Sequence, residues 1–491
     1  VPTSEIDRLV NACTMPGFAG PVVPEWALEA VENGLAGVCL YGANLPAAEG
    51  EERTADRVRD LAAAVHAVRP DALVALDEEG GDVTRLDYRV GSRYPGNLAL
   101  GTVDDAALTA AIATAIGTDL RRVGVNVDFA PSVDVNSDVR NPVIGVRSFG
   151  ADPGTVARHG AAFVTGLQAA GVAATAKHFP GHGATTVDSH LGLPVIDADE
   201  ATFRRRDLPP FAAAVQAGVA LVMTSHVVFS ALDDAPATLS RRLLGDLLRG
   251  ELGFDGVVVT DALDMAGVRD VHGIAGAAAL ALAAGADLLL LGAEDGEEHC
   301  AAVRATIGRS VAEGRLPEAR LREAAGRVGA LRQRLAGAAV RPAEDRPDLG
   351  LQVARAALRV RGVTPLVAPP VVVELRAGTN MAVGAAAWSL AEPLARSAPL
   401  PDVLTVTEDG PGPEEVVARA TGAPLVVAVR DAYRSGWQRA WLLRLTEQRP
   451  DAVVVALGMP ADLDLVTGPA VAAHGAARVN TLAVADLLTG R

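Results

Sequence analysis

Short apolar runs rich in valine, leucine and alanine alternate along the chain with longer, alanine-rich stretches whose apolar residues recur at helical spacing. From the N-terminus to about residue 335 the alternation repeats, which is the signature of successive βα units. It predicts strands at 37–41, 72–76, 125–129, 173–176, 221–224, 256–260 and 287–291. Nearly every run ends in polar or charged residues: Asn44; Asp77 and Glu78; Asp134 and Asn136; Lys177 and His178; Ser225 and His226; Asp261. In a (β/α)8 barrel the loops after the strands share one face, so these ends converge and a reaction centre is assembled there. A doubly wound open sheet also alternates, but it usually carries a glycine-rich nucleotide loop, and none is found here.

Residues 301–340 are rich in Arg, Glu and Ala at helical spacing and lead into a proline-bearing stretch from Arg341-Pro342 to Asp348, the expected linker. Beyond it, apolar runs at 371–375, 425–429 and 453–457 with helical stretches between them predict a smaller αβα sandwich. The expected organisation is α/β: a TIM-type (β/α)8 barrel over 1–340, a linker over 341–350 and the sandwich over 351–491. Ionisable residues of the second domain are scattered and form no chemical constellation.

Composition removes several classes of function. A formal net charge of −16 argues against nucleic acid or an anionic membrane as partner, because both need a basic face. Cys13, Cys39 and Cys300 are odd in number, far apart and without metal spacing, so no disulfide framework is implied and a reducing compartment is expected. The longest apolar stretch, 273–286, stops at Asp287 and is too short to span a bilayer. Val1-Pro2 opens no charged and apolar leader, so a cytoplasmic location is expected. No cofactor is expected.

One lysine, Lys177, stands among 44 basic residues, and it opens the run Lys177-His178-Phe179-Pro180-Gly181-His182-Gly183. A planar guanidinium does not replace a compact, rotatable ammonium in a tight site, so this position calls for a point donor. Three of the nine histidines lie between 178 and 190, beside Asp188. In the extended triplet Asp188-Ser189-His190 the aspartate and histidine point the same way, and the carboxylate can fix the imidazole tautomer and stabilise its charged form. An ordinary loop salt bridge would use the same two residues. Asp261 ends an apolar run at the barrel mouth, where it serves either as a reacting carboxylate or as a cap for the next helix. Lys177, His178, Arg85 and Arg147 offer donors suited to hydroxyls held around a ring, and Asp77 offers the acceptor that cations lack. A carboxylate nucleophile, a separate acid/base and a ring of hydroxyl partners describe glycosyl transfer. Metal binding is disfavoured, because Pro180 and Gly181 keep His178 and His182 from the helical spacing that aligns two rings.

These residues resemble the β-N-acetylglucosaminidases of glycoside hydrolase family 3. The resemblance rests on 177–183 and Asp188-Ser189-His190, and extends through Met15-Pro16-Gly17-Phe18, Asp77-Glu78-Glu79-Gly80-Gly81 with Arg85, Phe129-Ala130-Pro131, Asp134-Val135-Asn136, Arg147-Ser148-Phe149-Gly150 and Thr260-Asp261. It implies that Asp261 is the nucleophile, that Asp188 and His190 form the acid/base dyad, and that Asp77, Arg85, Arg147, Lys177 and His178 bind the sugar. It further implies a retaining, exo-acting hydrolase whose partner is a small-molecule carbohydrate, a glycoside or muropeptide bearing N-acetylglucosamine, in peptidoglycan recycling. Glu79 and Asp82 depart from the pattern by adding negative charge, which bears on leaving-group preference. A histidine acid/base turns neutral once it has donated its proton and repels phosphate less than a glutamate would, so a phosphorylase is the alternative. A non-catalytic carbohydrate-binding protein is the second.

Overall fold

The computed structural model describes residues 4–45, 54–187, 192–338, 346–376, 388–396 and 402–491. Its contacts divide the chain into two compact units, one formed by 1–79, 106–144 and 151–344, the other by 80–105, 145–150 and 345–491. Chain order alone does not express this division. Two short excursions from the first part of the chain group with its last third.

The first unit is a ring of eight strands: β1 (Thr14–Met15), β2 (Gly37–Cys39), β3 (Leu73–Leu76), β4 (Val127–Asp128), β5 (Ala173–Phe179), β6 (Leu221–Thr224), β7 (Val257–Val259) and β8 (Leu289–Leu290). Parallel ladders join β2 through β7 in chain order. Val259 bridges Leu288, β8 pairs with β1, and backbone bonds from Ala36 to Thr14 and from Cys39 to Pro16 close the ring. A closed ring leaves no sheet edge exposed, and it turns the ends of all eight strands toward two opposite mouths.

Each predicted run in this half contains a strand. Two local differences have physical causes. β1 spans two residues, too few for any periodicity to show. β5 runs three residues past the predicted end, so Lys177 and His178 stand within the strand and all seven of its residues are buried. Alternate residues such as Leu73 and Ala75, Val127 and Phe129, and Leu221 and Met223 belong to one apolar cluster, the period-2 face of a buried sheet. Burying a Val or Leu side chain is worth about 1.5–3 kcal/mol, so this cluster contributes substantially to the unit's stability. Strand β2 lies so close to β3 that a Cβ on Gly37 would come 1.9 Å from the Leu73 carbonyl oxygen, a place for glycine only.

The second unit holds a six-stranded sheet: β9 (Arg359–Arg361), β10 (Val371–Leu375), β11 (Asp402–Val406), β12 (Leu425–Val429), β13 (Val453–Ala456) and β14 (Ala470–Ala472). The order is β9-β14-β13-β12-β10-β11, with only β9 antiparallel. Numbered from β10, the five parallel strands run 2-1-3-4-5, a doubly wound sheet whose order reverses between β10 and β12. The three predicted runs are three of its four fully buried strands; the fourth, β14, matches no predicted run.

Candidate active site

Asp77 follows β3 directly, and Lys177 stands in β5, two ladders away. The ammonium of Lys177 lies 2.7 Å from Asp77 Oδ1 and 2.7 Å from Glu79 Oε1, and its side chain is 1% exposed. One buried cation thus holds two carboxylates, and a rotatable ammonium suits this where a flat guanidinium would not. Glu79 is as buried as the lysine, whereas the Asp77 side chain stays 23% exposed. Beneath them the Asp128 carboxylate accepts the Glu78 N–H at 2.9 Å and fixes the turn after β3. Burial pushes the Asp128 carboxyl well above the ordinary carboxylate range. The extra charge at Glu79 is therefore matched by Lys177.

His178 is oriented by Asp134. Its Nδ1 lies 2.7 Å from Asp134 Oδ2, and the same carboxylate accepts the N–H of His178 at 3.2 Å, the N–H of His182 at 2.7 Å and the Ser132 hydroxyl at 3.0 Å. Burial pushes the Asp134 carboxyl up, but the charge and hydrogen bond of His178, with His182, outweigh burial and hold it below its usual value. Anchoring Nδ1 fixes the tautomer and leaves Nε2 as the nitrogen that can address a ligand. His182 is different: burial, then the neighbouring His178 charge, push it down to about 4, so it stays neutral at neutral pH.

Asp261 lies two residues beyond β7. The helix that follows, Ala266–Ala284, starts with Met265 at its cap, so helix capping does not occupy Asp261. Its Oδ1 accepts the N–H of Ala262 at 2.8 Å. The carbonyl of Ala262 accepts in turn from His226 Nε2 at 3.0 Å, and His226 Nδ1 meets the Thr238 hydroxyl at 2.8 Å. A buried histidine from the end of β6 thereby fixes the backbone next to Asp261.

The site residues proposed from sequence fall into three groups. Asp77, Lys177, His178 and Asp261 belong to the first unit. Arg85 and Arg147 belong to the second, where Arg85 lies 5.5 Å from the Tyr88 ring and the Arg147 carbonyl accepts from the Asn97 side chain at 2.7 Å. Asp188 and His190 lie outside the described residues. Sequence reasoning had not seen the supporting roles of Glu79, Asp134 and His226, although all three sit at strand ends. Among the described residues no group of three or more His, Cys, Asp or Glu side chains is arranged to hold a metal, and no helix is long and apolar enough to cross a membrane.

A ring of parallel strands with paired ionisable side chains at its carboxyl ends defines a (β/α)8 enzyme fold. Residues 25–331, more than half of the chain, match the family described as glycosyl hydrolase family 3 N terminal domain, and the chain belongs to that family of glycoside hydrolases. It is 43% identical over 237 residues to a β-hexosaminidase of Pseudomonas aeruginosa, covering 48% of this chain and 70% of that protein. It is 42% identical over 234 residues to β-hexosaminidase A of Pseudoalteromonas piscicida, a match spanning 44% of this chain and only 39% of that longer protein. Among solved structures, a family 3 β-N-acetylglucosaminidase from Paenibacillus sp. str. FPU-7 superposes with a TM-score of 0.88 at 33% identity, covering 99% of this chain and 97% of the other.

Proposed function

We propose that the chain is an exo-acting, retaining β-N-acetylglucosaminidase. The observation that carries this reading is the frame at the ends of β3 and β5, where buried Lys177 holds the partly exposed Asp77 carboxylate and Asp134 fixes His178. An acceptor and a set of donors fixed in this way suit adjacent hydroxyls on a sugar ring. The resemblance adds Arg85 and Arg147 as further hydroxyl donors. The names of the relatives support N-acetylhexosamine as the sugar, and we assign terminal β-linked N-acetylglucosamine of muropeptides or chitooligosaccharides as substrate, in peptidoglycan recycling.

The Asp261 carboxylate attacks the anomeric carbon as His190, the acid of the dyad that the resemblance implies with Asp188, protonates the glycosidic oxygen. The carbon–oxygen bond breaks, the aglycone leaves as an alcohol and a glycosyl-aspartate ester forms with inverted configuration. His190, now neutral, takes a proton from water, the oxygen attacks the same carbon, and the Asp261 carboxylate is released. Two inversions give net retention. The test is a 2-deoxy-2-fluoro glycoside, which slows breakdown of the ester. A labelled peptide containing Asp261 is expected, and a label on any other peptide overturns the assignment.

A further inference from the structure

The second unit uses the carboxyl ends of its sheet, where doubly wound folds hold ligands, to hold part of its own chain. Arg430 directly follows β12, beside the reversal of strand order. Its guanidinium lies 2.5 Å from Asp82 Oδ2, and the other oxygen of Asp82 accepts the N–H of Ala476 at 2.8 Å, in the loop after β14. Asp82 is 6% exposed. The negative charge that sets Asp82 apart in the sequence is therefore spent inside the unit, as an anion held by a guanidinium and a backbone N–H.

Asp82 stands three residues before Arg85, on a segment pinned along its length. Gly81 N–H donates to the Tyr94 carbonyl at 2.9 Å, and a Cβ on Gly81 would come 2.5 Å from the Cα of Gly96. Asp87 receives the Arg93 side chain at 3.1 Å, and the Ser92 carbonyl accepts from Val479 N–H at 3.4 Å. Asn97, at the start of the next helix, reaches the Arg147 carbonyl, so both arginine-bearing segments share one support. A tight loop tied at both ends has few conformations left, and a side chain it carries is already ordered when a ligand arrives.

We propose that Asp82 and Arg430 are a positioning pair that holds Arg85 ready for the sugar. This rests on Arg85 being a sugar donor, as in the proposed function. Because the pair acts on binding in ground and transition states alike, Arg430→Gln and Asp82→Asn should each raise KM for an aryl β-N-acetylglucosaminide about tenfold with kcat within about twofold. Arg430→Lys, which keeps the charge, should restore most of the affinity. In an Arg85→Gln background, Arg430→Gln should add nothing further to KM, because its effect travels through Arg85. Wild-type KM in the folded single variants, or an undiminished KM rise in the Arg85→Gln background, overturns the positioning role. If Arg85→Gln alone leaves KM unchanged, the sugar assignment of Arg85 falls, and the proposal with it. Should Arg430→Gln fail to fold, Asp82→Asn carries the same test, and hydrogen exchange of the amides of 81–94 must rise in it while β3 and β5 stay protected. Unchanged exchange there also overturns the proposal.

Discussion

The two ends of the barrel use the same interaction for different purposes. At the amino ends of the strands, Asp287 is fully buried and takes the guanidiniums of Arg249 at 2.5 Å, Arg320, and Arg327 at 3.4 Å, together with the Val258 N–H at 2.9 Å. Nearby, Asn126 bonds the Val74 N–H and the Ala72 carbonyl, and Gln168 bonds the Ala220 N–H and the Gly218 carbonyl. Every cation in the Asp287 cluster is an arginine, and each of these polar groups ends on protein. At the carboxyl ends the cation is the lysine, the oriented ring is a histidine, and Asp77 keeps part of its side chain exposed. A buried ion pair does not mark function by itself. A carboxylate that stays partly exposed beside such a pair, as Asp77 does, is a better mark.

The largest effect that would break this contrast is at Asp261. Asp261→Asn should lower kcat on the order of 10⁴-fold or more, as loss of a nucleophile does elsewhere, with an unchanged thermal midpoint, read by steady-state kinetics and thermal unfolding. A variant that keeps kcat, or loses activity only through unfolding, removes Asp261 from the chemistry. Next is the acid/base. His190→Ala should cost about 10²–10⁴-fold with unactivated glycosides and much less with a nitrophenyl leaving group, which departs without a proton. Equal losses for both substrates would rule out the acid role.

At the other end, Asp287→Ala leaves three guanidiniums without their shared carboxylate. Breaking a buried ion pair from one side typically costs about 3–5 kcal/mol, measured by denaturant unfolding, while kcat/KM of the folded fraction should stay within about twofold. A folded Asp287→Ala protein with crippled kcat/KM would show that the two ends are not separate in function.

The parts of the molecule that could be read from sequence are those where one strand carries its own signal. The run 425–429 is apolar throughout, 221–224 and 371–375 are apolar at all but one position, and all three appear in the structure with the same limits. The strands missed lack that signal: β1 has two residues, β14 is fully buried but only three residues long, β9 is exposed at every position, and β11 is an edge strand buried only at Val406. Lys177 stands out because it is alone of its kind. Its pairing with Glu79 does not, because the contact spans about a hundred residues of chain, and nothing in a local window separates Glu79 from its neighbour Glu78. Asp134 is visible as a strand end, but its service to His178 depends on two adjacent strands. The grouping of 80–105 with 345–491 is likewise a fact of three dimensions, and it accounts for an acidic residue, Asp82, that was anomalous in the sequence.

The smallest expected effect concerns pH, and it tests the frame around Asp134. His182 is pushed down to about 4, from an ordinary 6.5, by burial and then by the His178 charge. The folded protein therefore holds it neutral while the unfolded chain protonates it, so the stability it contributes is present above about 6.5 and is lost as pH falls through about 4. Asp207, pushed up to about 6 by burial, has the opposite sign: its contribution is present below the ordinary 3.8 and is lost as pH rises through about 6. Wild type and His182→Gln share the slopes of Asp207 and of every other shifted group, and only wild type adds that of His182. Between pH 6.5 and 4 the thermal midpoint of wild type should therefore fall relative to that of His182→Gln, with the two profiles running parallel above about pH 7.5. Parallel profiles over the whole range would mean that His182 titrates alike in the folded and unfolded chain. The ring of His182, whose backbone N–H the Asp134 carboxylate accepts, would then not be held neutral by burial, and the reactive end of the barrel would lose one of the features that separate it from the Asp287 end.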